Sequence, residues 1–293
     1  MQTQIIDGKK IRDEILAKIK KEVENLPFKP IFCDVLIGED PASIQYVAMK
    51  ARIAELVGIA FYKASFPKEI KSEDLINEIK KINEIPNISG IIIQLPLPKN
   101  LNKRNILDAI DPSLDVDCLG SFVSNKFYSG DTEMIFPTAL ACIALLESIN
   151  LDLNPPAGGK KIVVLGEGEL VGRPVSALLR FRGFQVETIN SLTENKKEII
   201  KQADVIISGM GHGKYLKGDM IKVGSVIIDA GTSESNSSIV GDVDFESVKD
   251  VAGFVSPVPG GVGPVTVAML LKNVLQVAKS LDKTRDDSVE SNK

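Results

Sequence analysis

The sequence predicts an α/β protein made of two units, each a parallel sheet covered by helices. Three observations predict it. Strand-like and helix-like periods alternate along nearly the whole chain. The strand segments "PIFCDVLIG", "ISGIIIQLPLP", "KIVVLG" and "GSVIIDAG" are dense in apolar and β-branched residues, as in sheets buried on both faces. A Pro/Gly-rich junction, "LNPPAGGKK", interrupts the rhythm near residue 150 and separates two runs of βα units.

The elements follow in order. "GKKIRDEILAKIKKEVENL" places apolar residues at helical spacing with charges between them. "PIFCDVLIG" is a short strand closed by Gly38, and "SIQYVAMKARIAELVG" is a helix whose end is marked by Gly58. "IAFYKASF" reads as a strand, "SEDLINEIKKINE" as a helix, and "ISGIIIQLPLP" as a buried strand ended by prolines. After the junction come strand "KIVVLG", helix "PVSALLRFRG", strand "FQVETIN", helix "NKKEIIKQA" and strands "DVIISGMG" and "GSVIIDAG", a dinucleotide-fold rhythm. Helix "GPVTVAMLLKNVLQVAKSL" closes the ordered part, and the polar tail from residue 283 to 293 is expected to be disordered.

Composition excludes several function classes. The chain has 293 residues, 44% hydrophobic and 25% charged, with a net charge of -4, so it has the material for a large core and lacks the basic face of a nucleic-acid binder. The N-terminus is charged and amphipathic, unlike a signal peptide, and no apolar run reaches the roughly 18–20 residues of a membrane helix. Cys33, Cys118 and Cys142 are far apart and odd in number, which points to a reducing compartment, the cytoplasm, and away from a disulfide framework. His212 is the sole histidine, which removes most histidine-built metal sites and serine–histidine–acid triads. No metal site is expected.

Five segments carry candidate chemistry. "LGEGELVGRP" contains Gly166-x-Gly168-x-x-x-Gly172 between a buried strand and a helix. Such a turn lets the backbone approach a pyrophosphate, whose charge meets the free amides of the following helix, with Pro174 in its first turn. In "SIQYVAMK", Tyr46 and Lys50 share one helical face. A helical lysine is most often solvated; a catalytic role requires it to enter a cleft, where desolvation favours the neutral amine. Gln94 ends a buried strand, at the edge where parallel sheets bind ligands. "LDVDC" sets Asp115 and Asp117 on one side of an extended segment; two carboxylates alone make a poor metal site, so hydrogen bonding is the stronger reading. "SPVPGGVGPVT" is too rich in proline and glycine for a regular helix or central strand, and leads into the last helix.

Taken in order, "SIQYVAMK", "GIIIQLPLP", "DVD", the glycine turn with "VGRP", "GDVDF" and "PVPGGVGPVT" resemble the bifunctional methylenetetrahydrofolate dehydrogenase/methenyltetrahydrofolate cyclohydrolase family, from about Ile6 to Leu281. The resemblance implies an N-terminal α/β catalytic domain (1–140, completed by the helix 264–282), a C-terminal Rossmann-type NAD(P)-binding domain (141–263), a cleft between them, and a homodimer. It implies oxidation of 5,10-methylenetetrahydrofolate to the methenyl cation, then hydrolysis to 10-formyltetrahydrofolate. Tetrahydrofolate derivatives are the expected partners, with no nucleic acid and no membrane.

The resemblance also assigns roles. Lys50 matches the catalytic lysine, Gln94 the glutamine that tunes it, Tyr46 the tyrosine that stacks on the folate, and Asp117 the aspartate that binds the pterin-like ring. Ser43 lies in the same motif, and Pro259, Gly260, Gly261 and Gly263 belong to the loop between the folate and nicotinamide sites. Gly166, Glu167, Gly168, Val171, Gly172, Pro174, Ser191, Gly211 and Thr232 are the cofactor-binding candidates. The chain departs from the family pattern at several points. Leu114 and Cys118 flank the Asp-Val-Asp triplet in place of Lys and Gly, and 136–139 read Phe-Pro-Thr-Ala in place of Pro-Cys-Thr-Pro. Glu167 stands where an arginine would grip the 2′-phosphate of NADP, the family default, so the cofactor is NADP or NAD with the NADP preference weakened.

Overall fold

A computed structural model describes residues 2–150, 159–235 and 238–290. Most of the junction "LNPPAGGKK" therefore lies outside the described residues. The chain divides into two compact units, one of 1–14 with 136–269 and one of 15–135 with 270–293, so the division falls inside the first and last helices. The sequence reading places residues 1–14 with the first domain. By contacts they group with the second, because strand β1 (Gln4–Ile5) pairs with Phe254–Val255 near the chain's end.

Helix α1 (Gly8–Val23) leads into β2 (Ile31–Ile37), α2 (Pro41–Leu56), β3 (Ala60–Phe66), α3 (Ser72–Asn83) and β4 (Ile88–Ile93). The three strands form a parallel sheet of order β3-β2-β4. The chain leaves β2 toward β3 on one side and returns to β4 on the other, so β2 is a switch point where a crevice opens at the carboxyl ends. Asp40 caps α2 by accepting the Ser43 N–H at 2.8 Å, and Pro41 supplies a preset first turn. Gly58 follows the helix at φ 87°, a left-handed stop. Short helices α4 (Lys103–Leu107) and α5 (Ser121–Ser129) complete the stretch before residue 136.

Helix α6 (Pro137–Ser148) opens the second unit's main run: β5 (Ile162–Leu165), α7 (Gly172–Phe181), β6 (Val186–Ile189), α8 (Lys196–Lys201), β7 (Val205–Ser208) and β8 (Val226–Asp229). A small antiparallel pair, β9 (Ser233–Ser235) and β10 (Ser238–Val240), precedes α9 (Phe245–Val248), β11 (Phe254–Val255) and the long α10 (Val262–Glu290). The six-stranded sheet runs β1-β11-β8-β7-β5-β6, parallel throughout. Its interior is aliphatic, with Val163, Leu165, Ile206, Ile227 and Val255 in one buried cluster with Ile200 of α8 and Val248 of α9. Here β5 is the switch point, with β6 on one side and β7 on the other.

One local expectation holds and one changes. Helix α10 starts at Val262, one residue ahead of the expected Gly263, with Pro264 in its first turn where a proline needs no N–H partner. The same helix runs on to Glu290 where a disordered tail was expected from 283; propagation from an existing helix adds one bond per residue and needs no new nucleus. Residues 291–293 lie outside the described residues.

In the unit of residues 15–135 and 270–293, α10 lies against β4 at Gly90. A Cβ there would sit 2.8 Å from Val116 Cγ1 and 2.9 Å from Val274 Cγ2. Asn273 of the same helix donates to the carbonyls of Val116 and Ile135, both at 2.9 Å. Gly90→Ala is therefore expected to destabilise the protein by about 1–3 kcal/mol through overpacking, read as a lower urea midpoint at an unchanged m-value.

Candidate active site

Lys50 is 2% exposed, on the buried face of α2. Its Nζ donates to Gln94 Oε1 at 2.8 Å and forms an ion pair with Asp34 Oδ2 at 2.6 Å. Gln94 follows β4 directly; its backbone N–H donates to Val35 O at 2.9 Å and its Nε2 to Leu95 O at 2.7 Å, which turns the amide oxygen toward the lysine. Tyr46, one turn earlier on α2, places its ring centroid 4.9 Å from Nζ. The tyrosine is 38% exposed, yet the protein around it pushes its pKa up to about 12, through desolvation first and then the Asp117 and Asp34 carboxylates.

Asp34 sits in the middle of β2 and is fully buried. Burial pushes its carboxyl pKa up, against the pull of Lys50 and Lys63. Neither of its oxygens accepts a well-formed hydrogen bond among the described residues, so Oδ2 meets Lys50 as an ion-pair contact.

Asp115 keeps an extended link, a parallel bridge to Ile91, and the chain turns directly after it at Val116 and Asp117 where the extended piece was expected to run on. Asp115 is 2% exposed and accepts the N–H groups of Gly120 at 2.8 Å and Leu119 at 3.4 Å, so it holds the turn together. Asp117 is half-buried beside it, with its pKa raised to about 6 by desolvation and by the Asp115 charge, and lowered in part by Lys50. Cys118 takes φ 62°, the left-handed region where glycine costs nothing. Ser43 is drawn into the cap of α2: its N–H and its hydroxyl both serve Asp40 and hold that carboxyl below its usual range.

The glycine turn leaves the carboxyl end of β5. Gly166 has φ 95°, and a Cβ there would lie 2.7 Å from Gly209 O; a Cβ on Gly172 would lie 1.9 Å from Gly166 O. Val171 fills the space a side chain on Gly209 would need, and Pro174 is buried in the first turns of α7. Gly168 faces open space: a Cβ on it would come no nearer than 3.9 Å to Gly209 O. Glu167 is exposed and accepts from Asn190 Nδ2 at 2.7 Å, just past the end of β6. Ser191, next along, is exposed and its carbonyl takes a hydrogen bond from Lys196 Nζ at 2.9 Å.

The loop after β7 is held by Asp242. This fully buried carboxylate accepts Ser208 Oγ at 2.8 Å, Met210 N at 2.7 Å and His212 N at 2.7 Å. Asp229, at the end of β8, takes the N–H groups of Gly231 (3.0 Å), Asp242 (3.1 Å) and Val243 (2.9 Å). Burial, with the neighbouring Asp242 charge, lifts the Asp229 pKa to about 6. Gly211 (φ 66°) lies in this loop near the carbonyl of exposed Thr232. Past β11, the Pro257–Gly261 turn is closed by Gly261 N to Pro257 O at 2.8 Å, with Gly260 at φ 113° and Pro259 exposed. This turn groups with the six-stranded sheet, whereas Lys50, Tyr46, Gln94 and Asp117 group with the three-stranded one.

Two family models match the chain. The catalytic domain of tetrahydrofolate dehydrogenase/cyclohydrolase matches residues 6–117, and the NAD(P)-binding domain of the same family matches residues 137–282. The chain belongs to the tetrahydrofolate dehydrogenase/cyclohydrolase family. It is a bifunctional dehydrogenase and cyclohydrolase with an NAD(P)-binding domain. It is 41% identical over 277 residues to the bifunctional protein FolD of Hydrogenobaculum sp. (strain Y04AAS1), covering 94% of this chain and 98% of that one. Its fold is similar to the crystal structure of the bifunctional enzyme FolD from Campylobacter jejuni, at TM-score 0.90 and 34% identity over 95% and 99% of the two chains. It is similar as well to the Trypanosoma brucei FolD complexed with NADP cofactor and inhibitor, at TM-score 0.89 and 31% identity over 96% and 98%.

Within this family member, several residues of the two clusters had no role of their own in the sequence reading. Asp34 is signalled only by a lone carboxylate in "IFCDVLI". Asp242 and Asp229 are buried acids whose partners are backbone N–H groups, which no side-chain pattern announces. Among the described residues there is no group of three or more His, Cys, Asp or Glu that could hold a metal ion, and no helix long and apolar enough to cross a membrane.

Replacing Asp242 by Asn keeps the shape and turns one acceptor into a donor facing an N–H or hydroxyl. We expect about 2–3 kcal/mol of lost stability in urea unfolding and about tenfold weaker dinucleotide binding by calorimetry. An unchanged Kd would show that the loop after β7 does not shape the cofactor site.

Proposed function

We propose that Lys50 is the acid–base residue of the cyclohydrolase step, and that this enzyme takes NAD in preference to NADP. The reaction is oxidation of 5,10-methylenetetrahydrofolate to the methenyl cation, then hydrolysis to 10-formyltetrahydrofolate. The observation that carries the first assignment is the buried amine of Lys50, held by Gln94 and Asp34 beside the half-open ring of Tyr46.

Each neighbour has a task that follows from its geometry. The exposed face of Tyr46 offers a platform for a flat heterocycle. Asp117 offers a carboxylate to the amino-pyrimidine edge of the pterin, and becomes charged as pH rises through about 6. Gln94 fixes the Nζ position of Lys50 through its oriented amide oxygen, which a near-attack arrangement requires. The turn of Pro259, Gly260 and Gly261 keeps the substrate-binding part that the resemblance gives it. The methenyl carbon is already electrophilic, so the protein needs only to orient it and to move protons.

The residues fit an NAD(P) dinucleotide. Gly166 and Gly172 approach one another too closely for any side chain, and the open space at Gly168 leaves backbone accessible ahead of the amino end of α7. Gly166, Gly168, Val171, Gly172 and Pro174 would hold the pyrophosphate, with Ser191, Gly211 and Thr232 around the remainder. When bound, the nicotinamide supplies the two-electron acceptor for the hydride of the folate methylene bridge.

The preference for NAD rests on Glu167. An acid at the end of the second strand ordinarily accepts from the ribose hydroxyls of NAD. Here Asn190 occupies that place and holds the Glu167 carboxylate there. A carboxylate accepts from a 2′-hydroxyl and repels a 2′-phosphate. Lys196, a cation close by in the sequence that could meet a phosphate, is engaged with the Ser191 carbonyl. We further infer a cytoplasmic homodimer; the three separated and buried cysteines suit a reducing compartment, and the dimer follows from the family resemblance.

Two experiments test these assignments. Lys50→Met should lower the cyclohydrolase rate by about 10²-fold or more while methylenetetrahydrofolate-dependent nicotinamide reduction survives in part; wild-type cyclohydrolase rates in that variant would overturn the role. Glu167→Arg should move the ratio of kcat/KM for NADP over NAD upward by about tenfold or more. A wild-type enzyme that already favours NADP by a large factor would sink the NAD reading.

A further inference from the structure

The Lys50–Asp34 pair raises a question that the lysine's proposed role leaves open. A lysine that takes a proton from water must first give up its own. Lys50 is 2% exposed, so its amine has scant direct contact with bulk water as a place to leave one. Gln94 meets it with an amide oxygen, which is not a base at neutral pH. The only basic atom placed against Nζ among the described contacts is Oδ2 of Asp34 at 2.6 Å.

We propose that Asp34 is the internal acceptor of the Lys50 proton, a positioning residue that lets Lys50 act as a neutral amine in the hydrolytic step. The inference rests on Lys50 being the base, as proposed above. Three features favour the transfer. Asp34 is fully buried in an otherwise apolar strand, and neither of its oxygens accepts a well-formed hydrogen bond among the described residues, so the carboxylate is stabilised by the ion-pair contact with Lys50 and, more distantly, by the charge of Lys63. Burial accordingly shifts the carboxyl toward its protonated form. The substrate of this step is a cation, whose arrival beside Nζ disfavours a second positive charge there.

Of the charged and titratable surroundings, Lys63 and Asp117 favour the ion pair, and the burial of Asp34 is what opposes them. Lys63 of β3 acts on Asp34 from the neighbouring strand, and Cys33 beside it on β2 has its thiol pushed far up by burial and by the Asp34 charge. Tyr46 of α2 stays protonated, and Asp117 from the turn after β4 acts on Lys50.

The step balances. One proton crosses from Nζ to Oδ2, leaving an amine and a carboxylic acid at unchanged net charge. Water adds to the methenyl carbon: its oxygen forms the C–O bond, the C=N π pair moves onto nitrogen, and one water proton goes to Nζ. The neutral adduct opens as its carbon–N5 bond breaks, with the hydroxyl proton delivered to N5 by way of Lys50 and the formyl C=O formed. The site then holds one proton more than at rest. It is carried off to solvent as product and water exchange at the site, and equals the proton that hydrolysis of a cation to a neutral formyl group must release.

The test is the pH dependence of cyclohydrolase kcat, with the uncatalysed rate subtracted and folding followed by thermal melts. In wild type the transfer is internal, so kcat should be flat between about pH 6.5 and 8.5. In Asp34→Asn the amine must lose its proton to solvent. That variant should approach the wild-type kcat at high pH and lose about tenfold per pH unit along a new acid limb. Wild-type rate and profile in Asp34→Asn, or a pH-independent loss, would overturn the proposal. If Asp34→Asn does not fold, the wild-type profile decides: a flat kcat supports internal transfer, and a slope of about one decade per pH unit overturns it. Lys50→Met separates the two readings. Activity there removes the base itself, whereas an inactive Lys50→Met beside a normal Asp34→Asn overturns only the part given to Asp34.

Discussion

Every pairing in the two larger sheets is parallel, so all strands of a sheet deliver their carboxyl ends to one edge. The sheet interiors are then covered by helices and must be apolar, which leaves the edge as the place where polar side chains and loop amides can gather. In both sheets the strand that starts the run has neighbours on its two sides reached by successive crossovers, and a crevice results where they part. Gln94 stands at one such edge, and the turns from Gly166 and Gly209 stand at the other. The chemistry of each unit is where parallel topology permits it.

Buried charge is the second theme, and each unit handles it differently. Asp34 and Lys50 face one another across the contact between β2 and α2, so each desolvation penalty is offset by the other charge. Removing either partner of such a pair typically costs about 3–5 kcal/mol, because the remaining charge is stranded. Among the described residues no cation pairs with Asp242; three donors, two of them backbone N–H groups, take that place. A carboxylate held by amides is a geometric device, since each N–H fixes the direction of one peptide plane. The same logic holds the Asp115 turn, where backbone N–H groups of the following residues converge on one carboxylate and set Asp117 beside it.

Much of the fold was legible because helical and strand periods are local. Gly58, Gly166 and the apolar strands declare their conformations within a few residues, and the run from Tyr46 to Lys50 declares a shared face. Gln94 was readable as a polar residue ending an isoleucine run. Asp34 was not, because its partner lies on a helix whose position over β2 is fixed by packing and not by any local pattern. Asp242 was missed because backbone amides leave no trace in residue identity. The end of α10 was misjudged for a related reason: polar composition predicts little packing, but a helix already nucleated by its buried portion extends through such residues. Asp117 misled in the opposite direction, since the extended segment expected there ends at the Asp115 bridge and the chain turns as later N–H groups gather on the Asp115 carboxylate.

The clamp on the loop after β7 bears on recognition as well as on shape. A flexible glycine-rich loop that closes on a ligand must surrender backbone freedom, at about 1–2 kcal/mol for each residue ordered, and that sum is subtracted from the binding free energy. Gly209 to His212 are already positioned by a carboxylate that folding itself has buried. The conformational entropy of this stretch is lost once, when the chain folds. Any ligand that meets this edge of the sheet meets a surface ordered in advance, and more of its contact energy is retained as affinity.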